Sequence, residues 1–159
     1  MASWRLTRRS TGRAGSCLLH GERERGAPVT LDVRQRVDHR IAAGALVVRD
    51  DKVLLVRHRK PRVYDFWVAP GGGAEDAEDL HSALRREVLE ESGLLVEPVR
   101  IAYIEDLSTP KMRECKIWFF ARLIGGKLTS KSAEAVREYI VDAQFLSRTE
   151  FEGRTVFPP

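Results

Sequence analysis

Two hydrophobic periods divide this chain. Ile41 to Val48 and Val53 to Arg57 are β-branched and aliphatic runs joined at Asp50-Asp51, which predicts a hairpin with a polar turn. Phe66-Trp67-Val68 predicts a short strand entering a loop, Pro70-Gly71-Gly72-Gly73. The period then lengthens. At about 100° per residue, Leu80, Ala83, Leu84 and Val88 form the apolar stripe of a helix from about Asp76 to Ser92, with Gly93 at the place of a left-handed C-cap. Strand patterns return at Leu94 to Val96, Val99 to Ile104 and Ile117 to Ile124, where a Gly125-Gly126 turn returns the chain through Lys127-Leu128. Tyr139 to Phe145 predicts the last strand, and Arg148 to Glu152 a short helix. Strands with one long helix predict an α/β fold built on a mixed β-sheet.

The helix stripe contains an anomaly. Glu87 and Glu91 fall inside it, Glu90 lies on its edge, and Arg86 is the adjacent cation. Carboxylates on a core-facing surface are costly unless paired or bound to metal, and the last turns of a helix disfavour anions. At roughly 5 Å and an effective dielectric near 20, each like-charged pair costs about 3 kcal/mol. Arg86 cannot neutralise three carboxylates. A hard divalent cation turns the repulsion into a ligand set, and the glycine loop ahead of the helix can add a carbonyl oxygen. The alternative is a solvated acidic helix end, which leaves the apolar-face placement unexplained.

Gly72, Glu78, Arg86, Glu87, Val88, Glu90, Glu91, Gly93 and Leu94 together resemble the box of the Nudix hydrolases, matching nine defined positions over 23 residues. The resemblance implies a Nudix fold, a mixed sheet packed between helices in an α/β/α sandwich. It also implies metal-dependent hydrolysis of a pyrophosphate bond in a nucleoside diphosphate linked to another moiety. Glu87, Glu90 and Glu91, with Arg86 beside them, would form the catalytic group. The metal ligands would be the three glutamates and the Gly71 carbonyl, with Mg²⁺ the expected ion and Mn²⁺ its alternative. Gly72, Glu78 and Gly93 would be structural, Glu78 tying the helix to its loop through Arg86. Pro110, sixteen residues past Leu94, resembles a mark of the ADP-ribose pyrophosphatase subgroup and favours ADP-ribose or a nucleotide sugar, although a proline is also an ordinary turn former.

Other candidates surround the box. The general base is either a box glutamate or one of Glu134 and Glu138 ahead of the last strand. Among substrate-binding candidates, Arg57 and Arg59 offer phosphate contacts, Trp67 a stacking surface and Glu138 a polar contact, with Lys60, Arg62, Tyr64 and Phe66 nearby. A solvated basic loop and core aromatics are the plain alternatives. His58 and His81 lack the partners of a triad and receive no catalytic role.

Composition adds limits. The chain has 159 residues, enough for one domain with a core. Its net charge of +4 is concentrated at the start, where residues 1–40 carry nine arginines against four acidic residues; the remaining 119 residues balance at −1. Residues 1–38 therefore read as a basic arm, disordered or adding one strand around Val29, Leu31 and Val33, and residues 39–159 as the Nudix domain. The nearly neutral domain makes nucleic acid an unexpected partner. A nucleotide small molecule is the expected substrate, and a homodimer is one candidate assembly that the sequence does not decide. No run is long and apolar enough for a membrane span. Cys17 and Cys115 match no metal or redox spacing, so a reduced cytoplasmic setting is expected, although the acid-free start through His20 is transit-like. Cys115 reads as a small core residue in a strand. Three further readings compete: a nucleoside triphosphate pyrophosphohydrolase, a nucleotide-sensing module without turnover, and an isoprenoid diphosphate isomerase. A sensing module would be expected to have lost part of the carboxylate set, and for the isomerase Cys115 alone is little support.

Overall fold

The structure is a computed structural model that describes residues 37–157. The expected basic arm up to residue 36, including the strand around Val29 to Val33, lies outside the described residues. The elements are β1 (Asp38–Arg49), β2 (Lys52–Lys60), β3 (Tyr64–Val68), β4 (Gly71–Gly73), α1 (Leu80–Ser92), β5 (Leu94–Ser108), β6 (Met112–Gly126), α2 (Ala133–Arg137), β7 (Ile140–Leu146), a 3₁₀ turn (Arg148–Phe151) and β8 (Val156–Phe157). The strands form a mixed sheet in the order β5-β6-β1-β2-β3-β8, with β4 also paired to β1 and β7 to β2.

β1 is the organising strand. Its length from Asp38 to Val47 runs parallel to β6, whereas only Val48 and Arg49 pair with β2. Strand alternation gives β1 two apolar faces. Ala43, Ala45 and Val47, with Phe119 and Ala121 of β6, pack under Ala83, Leu84 and Val88 of α1. The opposite face joins Trp118, Leu55, Trp67 and Leu146, against which Phe151 of the 3₁₀ turn is packed. That single turn forms the thin outer layer on the second face, where the expected short helix at Arg148 to Glu152 shrinks to one 3₁₀ turn.

Several predicted boundaries move for identifiable reasons. α1 starts at Leu80 rather than Asp76, because the Asp79 carboxylate caps it, accepting the amides of His81 and Ser82 at 2.9 and 3.0 Å. The two predicted strands after α1 are one, β5, whose register slips between Pro98 and Arg100. Proline cannot donate to a ladder, and β5 is an edge strand where such an irregularity is tolerated. Gly125 and Gly126 do not turn the chain back; they finish β6, opposite Leu95 and Leu94. Cys115 is exposed, not a core residue. It pairs with Ile41, also exposed, at an end of the sheet where the α1 face carries no cover.

Gly93 closes α1 with φ of 70°, its amide donating to Leu89 O at 2.8 Å. A Cβ here would lie 2.4 Å from Lys127 O. Gly93→Ala is expected to cost about 3 kcal/mol, combining the left-handed penalty with that collision, as a lowered urea midpoint at unchanged slope.

Candidate active site

The acidic stripe predicted for α1 is present in the fold. Glu87 and Glu91, one turn apart, share the buried face with Ala83, Leu84 and Val88 and are only 6% and 3% exposed. Two carboxylates approach a paired backbone here because β4 has no side chains. A Cβ on Gly72 would lie 2.4 Å from Glu87 Oε1. Glu91 Oε2 accepts the Gly71 amide at 2.9 Å, while the Gly71 carbonyl accepts a bond from Lys116 Nζ at 3.2 Å.

The third member of the group comes from elsewhere. Glu138 is the C-cap of α2, and one carboxylate oxygen from each of Glu87, Glu91 and Glu138 lies within 4.8 Å of the others. α2 is held on α1 by Ser132, whose hydroxyl donates to the Glu90 carbonyl and accepts the Ala135 amide at 2.9 Å. His58 Nδ1 lies 3.3 Å from the Glu138 carbonyl, a contact by which β2 also borders this cap. His81 stands apart, edge-on to Phe119.

Arg86 joins the loop to the helix. Its Nη2 donates to Glu78 Oε2 and to the Gly73 carbonyl, both at 2.9 Å, while Nη1 reaches Glu87 at 3.0 Å and Glu90 at 3.1 Å. Glu90 thus lies against Arg86, and the oxygens in mutual reach are those of Glu87, Glu91 and Glu138. Burial pushes the Glu91 carboxyl well up, with the Glu87 charge adding to it. Burial raises Glu87 too, opposed by Arg86. The hydrogen bond from Arg86 holds Glu78 below its ordinary range. Two buried carboxylates that are disfavoured as bare anions, joined by the exposed Glu138, suit a hard divalent cation.

Beside them lies a cleft of about 640 Å³ lined by Arg40, Glu75, Glu90, Glu134 and Arg137 together with Arg86, Glu87 and Glu138. The cations here are not the predicted ones. Arg57 is locked to Asp65 by two bonds of 2.7 Å, Arg59 lies 3.5 Å from the same carboxylate, and Trp67 is a core residue. These three do not meet the carboxylates, because the β2-β3 ladder sets Arg57 opposite Trp67 and Arg59 opposite Asp65. Arg40 and Arg137 had no signal in the sequence beyond charge; the β1-β6 pairing and α2 bring them in. A larger apolar cavity of about 770 Å³, lined by Val48, Leu146, Phe151 and Val156, lies outside this group.

The sequence model of the NUDIX domain matches residues 38–157. The chain is 37% identical over 109 residues to the 8-oxo-dGDP phosphatase NUDT18 of Homo sapiens, covering 68% of this chain and 32% of that protein. It is 29% identical over 118 residues to the ADP-ribose pyrophosphatase of Methanocaldococcus jannaschii, covering 73% of this chain and 69% of that one. The chain spans only about a quarter to a third of the length of the vertebrate 8-oxo-dGDP phosphatases it matches. A NUDIX hydrolase structure from Nitrosomonas europaea superposes with a TM-score of 0.64 at 24% identity, over 74% of this chain and 78% of that chain. A MutT NUDIX hydrolase from Burkholderia pseudomallei gives 0.63 at 21%, over 76% and 92%.

Two outcomes follow from the electrostatics. Glu91 and Glu87 keep protons in the folded state that the unfolded chain releases near pH 4.5, so metal-free stability should fall as pH rises from 4.5 through their raised values. Urea midpoints in EDTA across that range should show the decline, and Glu91→Gln should flatten it. Arg86→Lys should cost about 2 kcal/mol in the same assay, because one ammonium cannot serve Glu78, the Gly73 carbonyl, Glu87 and Glu90 together. An unchanged midpoint would make Arg86 a surface charge.

Proposed function

This chain belongs to the NUDIX family, and from that premise we propose that it hydrolyses a phosphoanhydride bond in a nucleoside diphosphate compound, with ADP-ribose or a nucleotide sugar as the favoured substrate. The observation that carries the reading is the convergence of Glu87, Glu91 and Glu138 beside a cleft with arginines on its walls. Glu87, Glu91 and Glu138 would hold the divalent ion, Mg²⁺ or Mn²⁺, with the Gly71 carbonyl within the same loop. When bound, such an ion neutralises diphosphate oxygens and acidifies a water.

The chain's own residues supply the rest. Arg40 and Arg137 bind phosphate oxygens; Arg137 exchanges an exposed partner, Glu134 at 2.7 Å, for a more highly charged anion, and Arg40, itself half-exposed, reaches the anion from beside the buried Glu114 at 3.2 Å. Of the carboxylates in the same cleft outside the ligand group, Glu75, Glu90 and Glu134, we assign Glu90 or Glu134 to accept the proton of the attacking water. Arg86 opposes the effect of burial on Glu87 and orients its carboxylate, and Gly72 lets it approach the loop. Attack at phosphorus needs no covalent intermediate.

A second reading has its own observation: three relatives at 33–38% identity are named 8-oxo-dGDP phosphatases. Both names share a diphosphate carried by a nucleoside, which is the unit the cleft is proposed to hold. Pro110 does not decide between them, since it sits at the tip of the β5-β6 hairpin in a turn closed by Thr109 N to Met112 O at 2.7 Å. No described helix is long and apolar enough to cross a membrane. We place the enzyme in the cytoplasm, where nucleotides are abundant, and expect a homodimer that uses the edge strand β5, where Val99, Ile101 and Ile104 are exposed.

Turnover should require a divalent metal. With ADP-ribose, 8-oxo-dGDP and nucleoside triphosphates assayed side by side, Glu87→Gln and Glu91→Gln should each lower the best rate about a hundredfold or more, or about 3 kcal/mol of barrier. Full activity in EDTA, or in both variants, would refute the mechanism.

A further inference from the structure

Lys116 is the cation that donates to the Gly71 carbonyl among the described hydrogen bonds, whereas Arg40 lies against Gly73. It sits in β6 opposite Ala42, and its side chain runs past Gly44, where a Cβ would lie 3.0 Å from Lys116 Cε. Its ammonium ends 3.2 Å from the Gly71 carbonyl and 4.4 Å from the centre of the Trp118 ring. Gly71 is therefore held twice, by Glu91 on its amide and by Lys116 on its carbonyl.

That carbonyl is the oxygen expected to serve a divalent ion. An ammonium and a divalent cation on one oxygen repel each other strongly at such separation in a poorly solvated site. One must leave. Lys116 has somewhere to go: with Trp118 it lines an adjoining pocket of about 250 Å³ whose wall also carries Glu105 and Glu114. Glu105 already accepts the Trp118 indole N–H at 2.9 Å, and Glu114 has Arg40 at 3.2 Å.

We propose that Lys116 is a tethered cation that occupies the Gly71 carbonyl in the metal-free protein and is displaced toward Glu105 and Glu114 when the divalent ion binds, so that it weakens metal affinity and positions the loop. This rests on the reading of Glu87, Glu91 and Glu138 as the metal group. Lys116 touches no reacting atom in this account and is a positioning residue.

Mn²⁺ affinity of the full chain, measured by electron paramagnetic resonance without substrate, separates the possibilities. Lys116→Met, nearly equal in length and uncharged, should bind Mn²⁺ more tightly by on the order of tenfold, the factor one charge-assisted hydrogen bond carries. Arg137→Met removes a cation of the same cleft that bonds neither Gly71 nor Glu114, and should gain less than about threefold. Equal gains in the two variants, or no gain in Lys116→Met, would overturn the exchange. Wild type and Glu87→Gln/Glu91→Gln binding Mn²⁺ alike would instead overturn the metal reading beneath it. If Lys116→Met does not fold, hydrogen exchange of the Lys116 ammonium in the wild type decides. Saturating Mg²⁺ should speed it about tenfold as the bond to Gly71 is lost; unchanged protection would refute the displacement.

Discussion

Two carboxylates buried on the core side of α1 are the constraint to which much of this structure answers. Glu87 and Glu91 occupy positions where an ordinary helix would place leucine or alanine, and their charges cannot be left unopposed at such burial. Arg86 meets Glu87 from the solvent side, the Gly71 amide meets Glu91 from the sheet side, and β4 is reduced to glycines so that these contacts fit. Arg86 in turn needs Glu78 and the Gly73 carbonyl to hold its guanidinium still. The local sequence between Gly71 and Gly93 is thus one connected solution to a single electrostatic problem. It leaves net negative charge unbalanced, which favours a bound cation.

The sheet serves that solution by dividing β1 between two tasks. Its α1-facing residues are small, Ala43 and Ala45, allowing the helix to lie close enough for its glutamates to reach β4, which pairs with the same strand. Its other face joins the second core around Trp118 and Trp67. The site therefore stands where one strand carries a helix and a glycine ladder at once, and its geometry inherits the rigidity of the core.

Legibility followed the range of the interactions. The placement of Glu87 and Glu91 on the buried face, the Gly93 cap and the strand pair at Asp50-Asp51 rest on spacing within a few residues, and each is present in the fold. The grouping of Glu138 with Glu87 and Glu91 depends on how a five-residue helix docks some fifty positions later in the chain, which no local period encodes. Arg57 and Arg59 looked available because sequence shows charge but not partners; Asp65 on the neighbouring strand engages both. Cys115 looked like core because its strand is apolar, yet coverage by α1 ends before it. Lys116 was hidden for the opposite reason, since a lysine in a strand suggests solvent and here its stem is laid across Gly44.

The docking of α2 carries a consequence for the order in which the protein becomes competent. Glu87 and Glu91 belong to α1, whose buried face also needs Phe119 and Ala121 of β6, and Glu138 joins them only where Ser132 bonds the Glu90 carbonyl and the chain enters β7. During synthesis on a ribosome, the acidic pair would emerge well before β6 and its third arm. On the proposed function, a nascent chain at that stage would hold metal weakly, and hydrolysis would wait for the closing strands of the sheet.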